Sequence, residues 1–115
     1  MSEAEERSAF IAALNDAFRK EPTCLGRAVV TRGVNDLGPD FAFLATRAVA
    51  AFHAFNEDND LYGEHDFGSF ELGGLKLFWK IDCYEKGSEY AAGAETPHDP
   101  ATTDRVLTIM LADEY

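Results

Sequence analysis

The chain has 115 residues, 46% of them hydrophobic, with nine Phe, four Tyr and one Trp. That is enough for one core needing neither disulfide nor metal, and the chain as a whole is not disordered by composition. A formal charge of −11 repels nucleic acid and anionic membrane and attracts basic partners, so direct binding to DNA or RNA is disfavoured.

No apolar run approaches the ~18 to 20 residues of a membrane span. The acidic opening Met1-Ser2-Glu3-Ala4-Glu5-Glu6 is the reverse of a signal peptide's basic start, so a soluble cytoplasmic protein of one domain, residues 1–115, is expected. The charge is uneven: residues 1–55 hold seven acids against six bases, and residues 56–115 hold fourteen acids against four bases. Cys24 and Cys83 lack metal-ligand spacing and any CxxC partner, so two reduced, mostly buried thiols are expected in preference to a bridge.

Ser2 with Glu5 three residues later has the capping-box pattern, and Phe10, Ile11, Leu14 and Phe18 recur at helical spacing; together they predict a helix over residues 3–19. Pro22 and Gly26 bracket a break, after which Ala28-Val29-Val30-Thr31 predicts a short strand closed by Gly33. Pro39 and Asp40 suit the start of a second helix. In it Phe41, Leu44, Ala45, Ala48, Val49, Phe52 and Phe55 mark one buried face.

The Gly73-Gly74 pair signals a two-residue hairpin that sets Leu72 opposite Leu75, Phe70 opposite Leu77 and Gly68 opposite Trp79. Phe70, Leu72, Leu75, Leu77, Trp79 and Ile81 then form a core face, with Gly68 leaving room beside the indole. The opposite face carries Phe67, Ser69, Glu71, Lys76, Phe78, Lys80, Asp82 and Tyr84. Residues 87–102 read as a long loop, and Arg105 to Leu111 as a last strand. The order α-β-α-β-β-β predicts an α+β fold, with two helices packed on one face of a mostly antiparallel four-stranded sheet.

Several strings stand out: Asn15-Asp16-Ala17-Phe18-Arg19, Thr31-Arg32-Gly33-Val34, the loop Asn59 to Gly68, Trp79-Lys80-Ile81-Asp82, and Arg105 through Tyr115. Together they resemble DUF3768, a small bacterial family of unknown function, over almost the whole chain. The most specific part is Glu64-His65-Asp66-Phe67-Gly68 followed at hairpin distance by Trp79-Lys80-Ile81-Asp82. The resemblance implies a setting among plasmid and mobile-element genes and supplies no catalytic residues. It also leads to Pro at position 61 and Tyr at position 83, where this chain has Leu61 and Cys83.

The segment Asn56 to Gly68 packs five carboxylates and a histidine between two apolar elements. Asp58, Asp60, Gly63 and Asp66 fall at positions 1, 3, 6 and 9 of a calcium loop, but Tyr62 stands at position 5 and Ser69 at position 12, where a bidentate Glu belongs. A transition-metal set would draw on His53, His65 and Asp66. Neither pattern is specific enough to predict a metal, and no cofactor is expected.

As an alternative, Glu64, His65 and Asp66 supply a base and its orienting carboxylate for a hydrolase or metal-dependent enzyme, with Lys80 and Asp82 on the adjoining strand. The sequence offers this site neither a nucleophile nor a phosphate-cradling glycine loop. A plain structural role is the competing reading, in which the acids make turns and His65 bonds loop backbone.

The preferred reading is an interaction protein, in which acidic side chains present phosphate-like charge to a basic protein surface. Its concrete form is an anti-CRISPR or anti-restriction inhibitor of a host defence nuclease, acting by nucleic-acid mimicry. Expected contact residues are Asp58, Asp60, Glu64, Asp66, Glu71, Asp82 and Glu85, with Phe67, Phe78 and Tyr84 as aromatic anchors. A mimic spaces its acids along a surface, whereas an enzyme converges them in a pocket.

Overall fold

A computed structural model describes residues 2–115. Ser2 opens the first helix as a reciprocal capping box: its hydroxyl accepts from the Glu5 N–H at 3.1 Å, and the Glu5 carboxylate accepts from the Ser2 N–H at 3.2 Å. This helix, α1 (Glu3–Lys20), buries Ile11, Ala12, Asn15, Phe18 and Arg19 along one stripe. Phe10, expected to join that stripe, is 58% exposed.

A 3-10 turn at Pro22–Cys24 leads into β1 (Gly26–Val30). Then come α2 (Arg32–Asp36), α3 (Pro39–Ala51), β2 (Phe67–Leu72), β3 (Leu75–Glu85), β4 (Thr103–Leu111) and a closing 3-10 turn at Ala112–Glu114.

The α+β class holds and the sheet is mostly antiparallel as expected, but the helix number is corrected and one strand pair is parallel. Among the described residues there are three α-helices, because Gly33 lies inside α2 instead of closing a strand, and Val34 of α2 is fully buried. The four-stranded sheet, ordered β1-β4-β3-β2, is mixed: β3 pairs antiparallel with β2 and β4, but β1 runs parallel to β4. Pairing with β3 leaves one edge of β4 free, and β1 adds there in parallel; the chain between them runs through α2, α3 and the β2–β3 hairpin, ample for the crossover that a parallel neighbour requires. The α3 face also departs from expectation, since Leu44 is 52% exposed while Ala45 and Val49 are buried.

The hairpin register matches the expected one, with Leu72 opposite Leu75, Phe70 opposite Leu77 and Gly68 opposite Trp79. Leu77, Trp79 and Ile81 of β3 and Leu107 and Ile109 of β4 therefore share a face, and Phe18, Val34, Ala45 and Val49 pack on it from the three helices. Glycine at position 68 is required by space, because a Cβ there would stand 2.5 Å from the indole nitrogen of Trp79 and 2.8 Å from the ring of Phe52.

On the opposite face of the sheet, across the strands from Asp82 and Phe78, Val106 and Met110 are buried as well. At one end Phe67, Phe78 and Tyr115 pack ring against ring at 5.3 to 5.7 Å. At the other Tyr90 lies against Tyr84, with the Arg27 guanidinium 4.4 Å from its ring centre. Both cysteines are free, and Cys24 is exposed instead of buried.

Candidate functional site

The acidic loop is shaped by its asparagines. The Asn56 side-chain oxygen accepts from the N–H groups of Asp58 and Asn59 at 2.8 and 3.1 Å, and the Asn59 amide donates to the Ala54 carbonyl at 2.8 Å. Gly63 takes the left-handed conformation at φ 68°, and His65 does so at φ 56°, which costs a residue with a Cβ. Asp60 holds that bend by accepting from the His65 N–H at 3.0 Å.

The His65 ring sits between two carboxylates. Nδ1 is 3.0 and 3.1 Å from the two oxygens of Asp16, and Nε2 is 3.5 Å from Asp60. The ring stacks flat on Phe55 at 3.9 Å. Asp16 is shared with Arg19, whose Nη2 donates to it at 2.7 Å. Nη1 of Arg19 donates to the carbonyls of Val49 and Phe52 at 2.6 and 2.9 Å, closing the end of α3. Its guanidinium also lies 5.0 Å from the Trp79 ring centre. The cluster borders a cleft of about 280 Å³, with Lys20 and His53 also on its walls.

One turn earlier on α1, the buried Asn15 works in both directions. Its amide donates to the Glu64 carbonyl at 2.9 Å, and its oxygen accepts from Arg105 Nε at 2.8 Å. Arg105 also donates to the Pro97 carbonyl, which pins the long loop to β4.

Burial pushes the Glu64 carboxyl above its usual range, reinforced by the charges of Asp66 and Asp60. Burial likewise raises Asp66, against the opposing pull of a backbone hydrogen bond. Cys83, directly across the strands from Arg105, is pushed up by burial although the guanidinium acts the other way. A thiol held up in this way is a poor nucleophile at neutral pH.

The expected contact residues fall into separate groups. Asp58 and Glu71 are exposed. Asp60 turns inward to His65, and only 7% of its side chain is accessible. Glu64 and Asp66 are half-buried. Phe67, Glu71, Phe78, Asp82 and Tyr84 share the sheet face opposite Trp79, where Asp82 pairs with Lys80 at 3.1 Å. Glu85 is spent on structure, its carboxylate accepting from the Glu95 N–H at 2.8 Å. Asn15, Asp16, Arg19, Phe55 and Arg105 were missed. The available signal was a polar residue at positions 15 and 19, inside the apolar stripe of α1.

Strings far apart in the chain thus meet in space: Asn15 to Arg19 against Glu64 to Gly68 and Trp79, and Thr31 to Val34 against Glu114. The Glu114 carboxylate accepts from the Thr31 hydroxyl at 2.6 Å and from the Gly33 N–H at 2.9 Å. A family described as a protein of unknown function (DUF3768) matches residues 30–114. The chain belongs to this family. No curated protein and no solved structure matches it.

The DUF3768 match takes in the acidic loop, the hairpin and β4, while Asn15, Asp16 and Arg19, which complete the cluster, lie before it. Chemically the cluster engages His65 and both Nη atoms of Arg19, while the buried Nε of Arg19 has no hydrogen-bond partner among the described residues. Nδ1 of His65 is within hydrogen-bond distance of Asp16, whereas Nε2 stands 3.5 Å from Asp60. No group of three or more His, Cys, Asp or Glu that could hold a metal ion occurs among the described residues. No helix among them is long and apolar enough to cross a membrane.

Proposed function

We propose that this DUF3768 protein is an acidic interaction protein that docks on a basic surface of another protein. In its most specific form it is an inhibitor that occupies the nucleic-acid groove of a host defence nuclease. The observation that supports the reading is the display of charge. Glu3, Glu5, Glu6, Glu57, Asp58 and Glu71 are exposed, and none of them has a salt-bridge partner among the described residues. Charges left unpaired at a surface steer association with an oppositely charged partner and do little for the stability of the fold. The carboxylates that do converge, Asp16 and Asp60, are consumed by His65 and Arg19.

The test is binding to a basic nucleic-acid-binding protein across a salt series. Affinity should fall steeply with ionic strength, and Asp58→Lys with Glu71→Lys should lower kon without unfolding the domain. A nucleic-acid mimic must also exclude the partner's own DNA or RNA. Simultaneous binding of both would remove mimicry and leave the acidic contact standing. Turnover of a phosphoester substrate that His65→Ala abolishes in a folded protein would replace the reading with an enzymatic one.

A further inference from the structure

An open groove of about 440 Å³ runs between the first turns of α1 and the tip of the acidic loop, with Ala4, Glu5, Ser8 and Ala9 on one wall and Asp60 to Gly63 on the other. Its size is in the range of clefts that accept ligands, about 300 to 1,000 Å³. Leu61 and Tyr62 on the loop wall are 75% and 76% exposed, more than any other large apolar residue among those described. The fold does not use them: the loop is shaped by Asn56, Asn59, Asp60 and Gly63, which leave both side chains standing out from a bend fixed by hydrogen bonds. Apart from Glu5, the facing wall is built of the small side chains Ala4, Ser8 and Ala9, so an incoming chain can approach the helix closely.

Charge selects the occupant. Glu3, Glu5 and Glu6 occupy the first turns of α1 and offset the positive helix end, and Glu57 and Asp58 stand in the loop that forms the other wall. These exposed carboxylates lack salt-bridge partners among the described residues. A second copy of this chain, a nucleic acid or an anionic membrane would bring like charge to this groove, which costs free energy.

We infer that the groove docks a cationic amphipathic segment of a protein partner, with an apolar side chain seated between Leu61 and Tyr62 and flanking Lys or Arg residues facing the carboxylates. Tyr62 offers a ring face to one of those cations. This inference rests on the reading of the protein as an acidic partner of basic proteins, and names the surface and the occupant.

The probe is a fluorescein-labelled peptide of Lys and Leu patterned as an amphipathic helix, with a control peptide of equal charge in which Ser replaces Leu. Fluorescence anisotropy measures binding, and amide chemical shifts of the protein locate it. The Lys/Leu peptide should bind in a salt-sensitive way, with shifts confined to residues 4–9 and 57–63. Leu61→Ser with Tyr62→Ser should weaken it about tenfold or more, and weaken the Ser-containing control much less. Both substitutions are at exposed positions, so the fold should survive them, and an unchanged melting temperature checks that.

Shifts confined to the sheet face around Phe67, Phe78 and Tyr115 would overturn the groove and leave the acidic-partner reading intact. Salt-sensitive binding that the double substitution leaves unchanged would do the same. Absence of binding by either basic peptide would overturn both. A concentration-dependent dimer abolished by the double substitution would assign the groove to a second copy and overturn the proposed occupant.

Discussion

Asn15 and Arg105, ninety residues apart, meet inside the core through a 2.8 Å hydrogen bond from Nε to the side-chain oxygen, with both side chains almost wholly buried. Burial lowers the Arg105 pKa from its ordinary value. The guanidinium has no carboxylate within ion-pair distance among the described residues, so its charge rests on Asn15 and the Pro97 carbonyl. Removing Asn15 strands Arg105 Nε and the Glu64 carbonyl together. Asn15→Ala should therefore cost about 2 to 4 kcal/mol in a urea titration, more than deletion of an exposed polar side chain. In a double-mutant cycle with Arg105→Met, the two changes should be non-additive by about 1 to 3 kcal/mol. Additivity would mean that the bond contributes nothing.

The register of the β2–β3 hairpin makes a paired prediction. Trp79 is fully buried against Phe52 and Phe55, with ring centres 5.4 and 6.1 Å away, whereas the side chain of Lys80 is 42% exposed. Trp79→Ala should cost ~3 to 5 kcal/mol and Lys80→Ala should be near neutral. Gly68→Ala should cost about 1 to 3 kcal/mol, because the added methyl meets the indole and the Phe52 ring and overpacks a filled site. Equal losses for Trp79→Ala and Lys80→Ala would contradict the register.

The parts of the fold that could be read from the chain are those fixed by neighbours in sequence. Gly73 and Gly74 both take positive φ, at 59° and 79°, so a two-residue turn set the strand pairing and with it the face of every residue from Phe67 to Glu85. Pro39 and Asp40 marked the start of α3 in the same local way. Its end was not marked: the chain turns extended at Phe52, with ψ 134°, although Phe52 and Phe55 continue the apolar spacing. Both rings still reach Trp79, so the pattern recorded burial and not helix. A five-residue helix with an internal glycine shows no periodicity, which hid α2. The Asp16–His65 contact spans 49 positions. Nothing at either residue names the other, so the loop could be seen as special but its partner on α1 could not.

Acidity should move stability in two directions. Glu64 and Asp66 are raised by burial from ordinary values of 4.5 and 3.8, so the folded state binds their protons more readily than the unfolded chain. Stability then falls as pH rises through their folded values, and is regained when pH is lowered from neutral toward about 4.5. Glu114 has the opposite sign. The Thr31 hydroxyl, then the N–H groups of Leu111 and Gly33, hold its carboxylate below 4.5, so its contribution is complete above that value and lost as pH falls through the folded pKa. Melting temperature should peak on the mildly acidic side. Glu64→Gln should flatten the rise below neutral, and Glu114→Gln the fall at stronger acidity. A profile that Glu64→Gln leaves unchanged would contradict the raised pKa of Glu64.

His65 separates a structural cluster from a catalytic one through a backbone argument. Its φ of 56° is left-handed, a conformation that glycine adopts freely and alanine does not. Both substitutions remove the imidazole from between Asp16 and Asp60 and the stacking on Phe55, and each should cost about 2 to 3 kcal/mol for that loss. Only alanine also keeps the strained backbone, whereas glycine carries the larger unfolded-state entropy. The difference leaves His65→Ala less stable than His65→Gly by roughly 0.5 to 1 kcal/mol. Urea titration of the two variants beside the parent checks the order. Equal stability of all three proteins would free His65 from a structural role and return it to the list of groups available for chemistry.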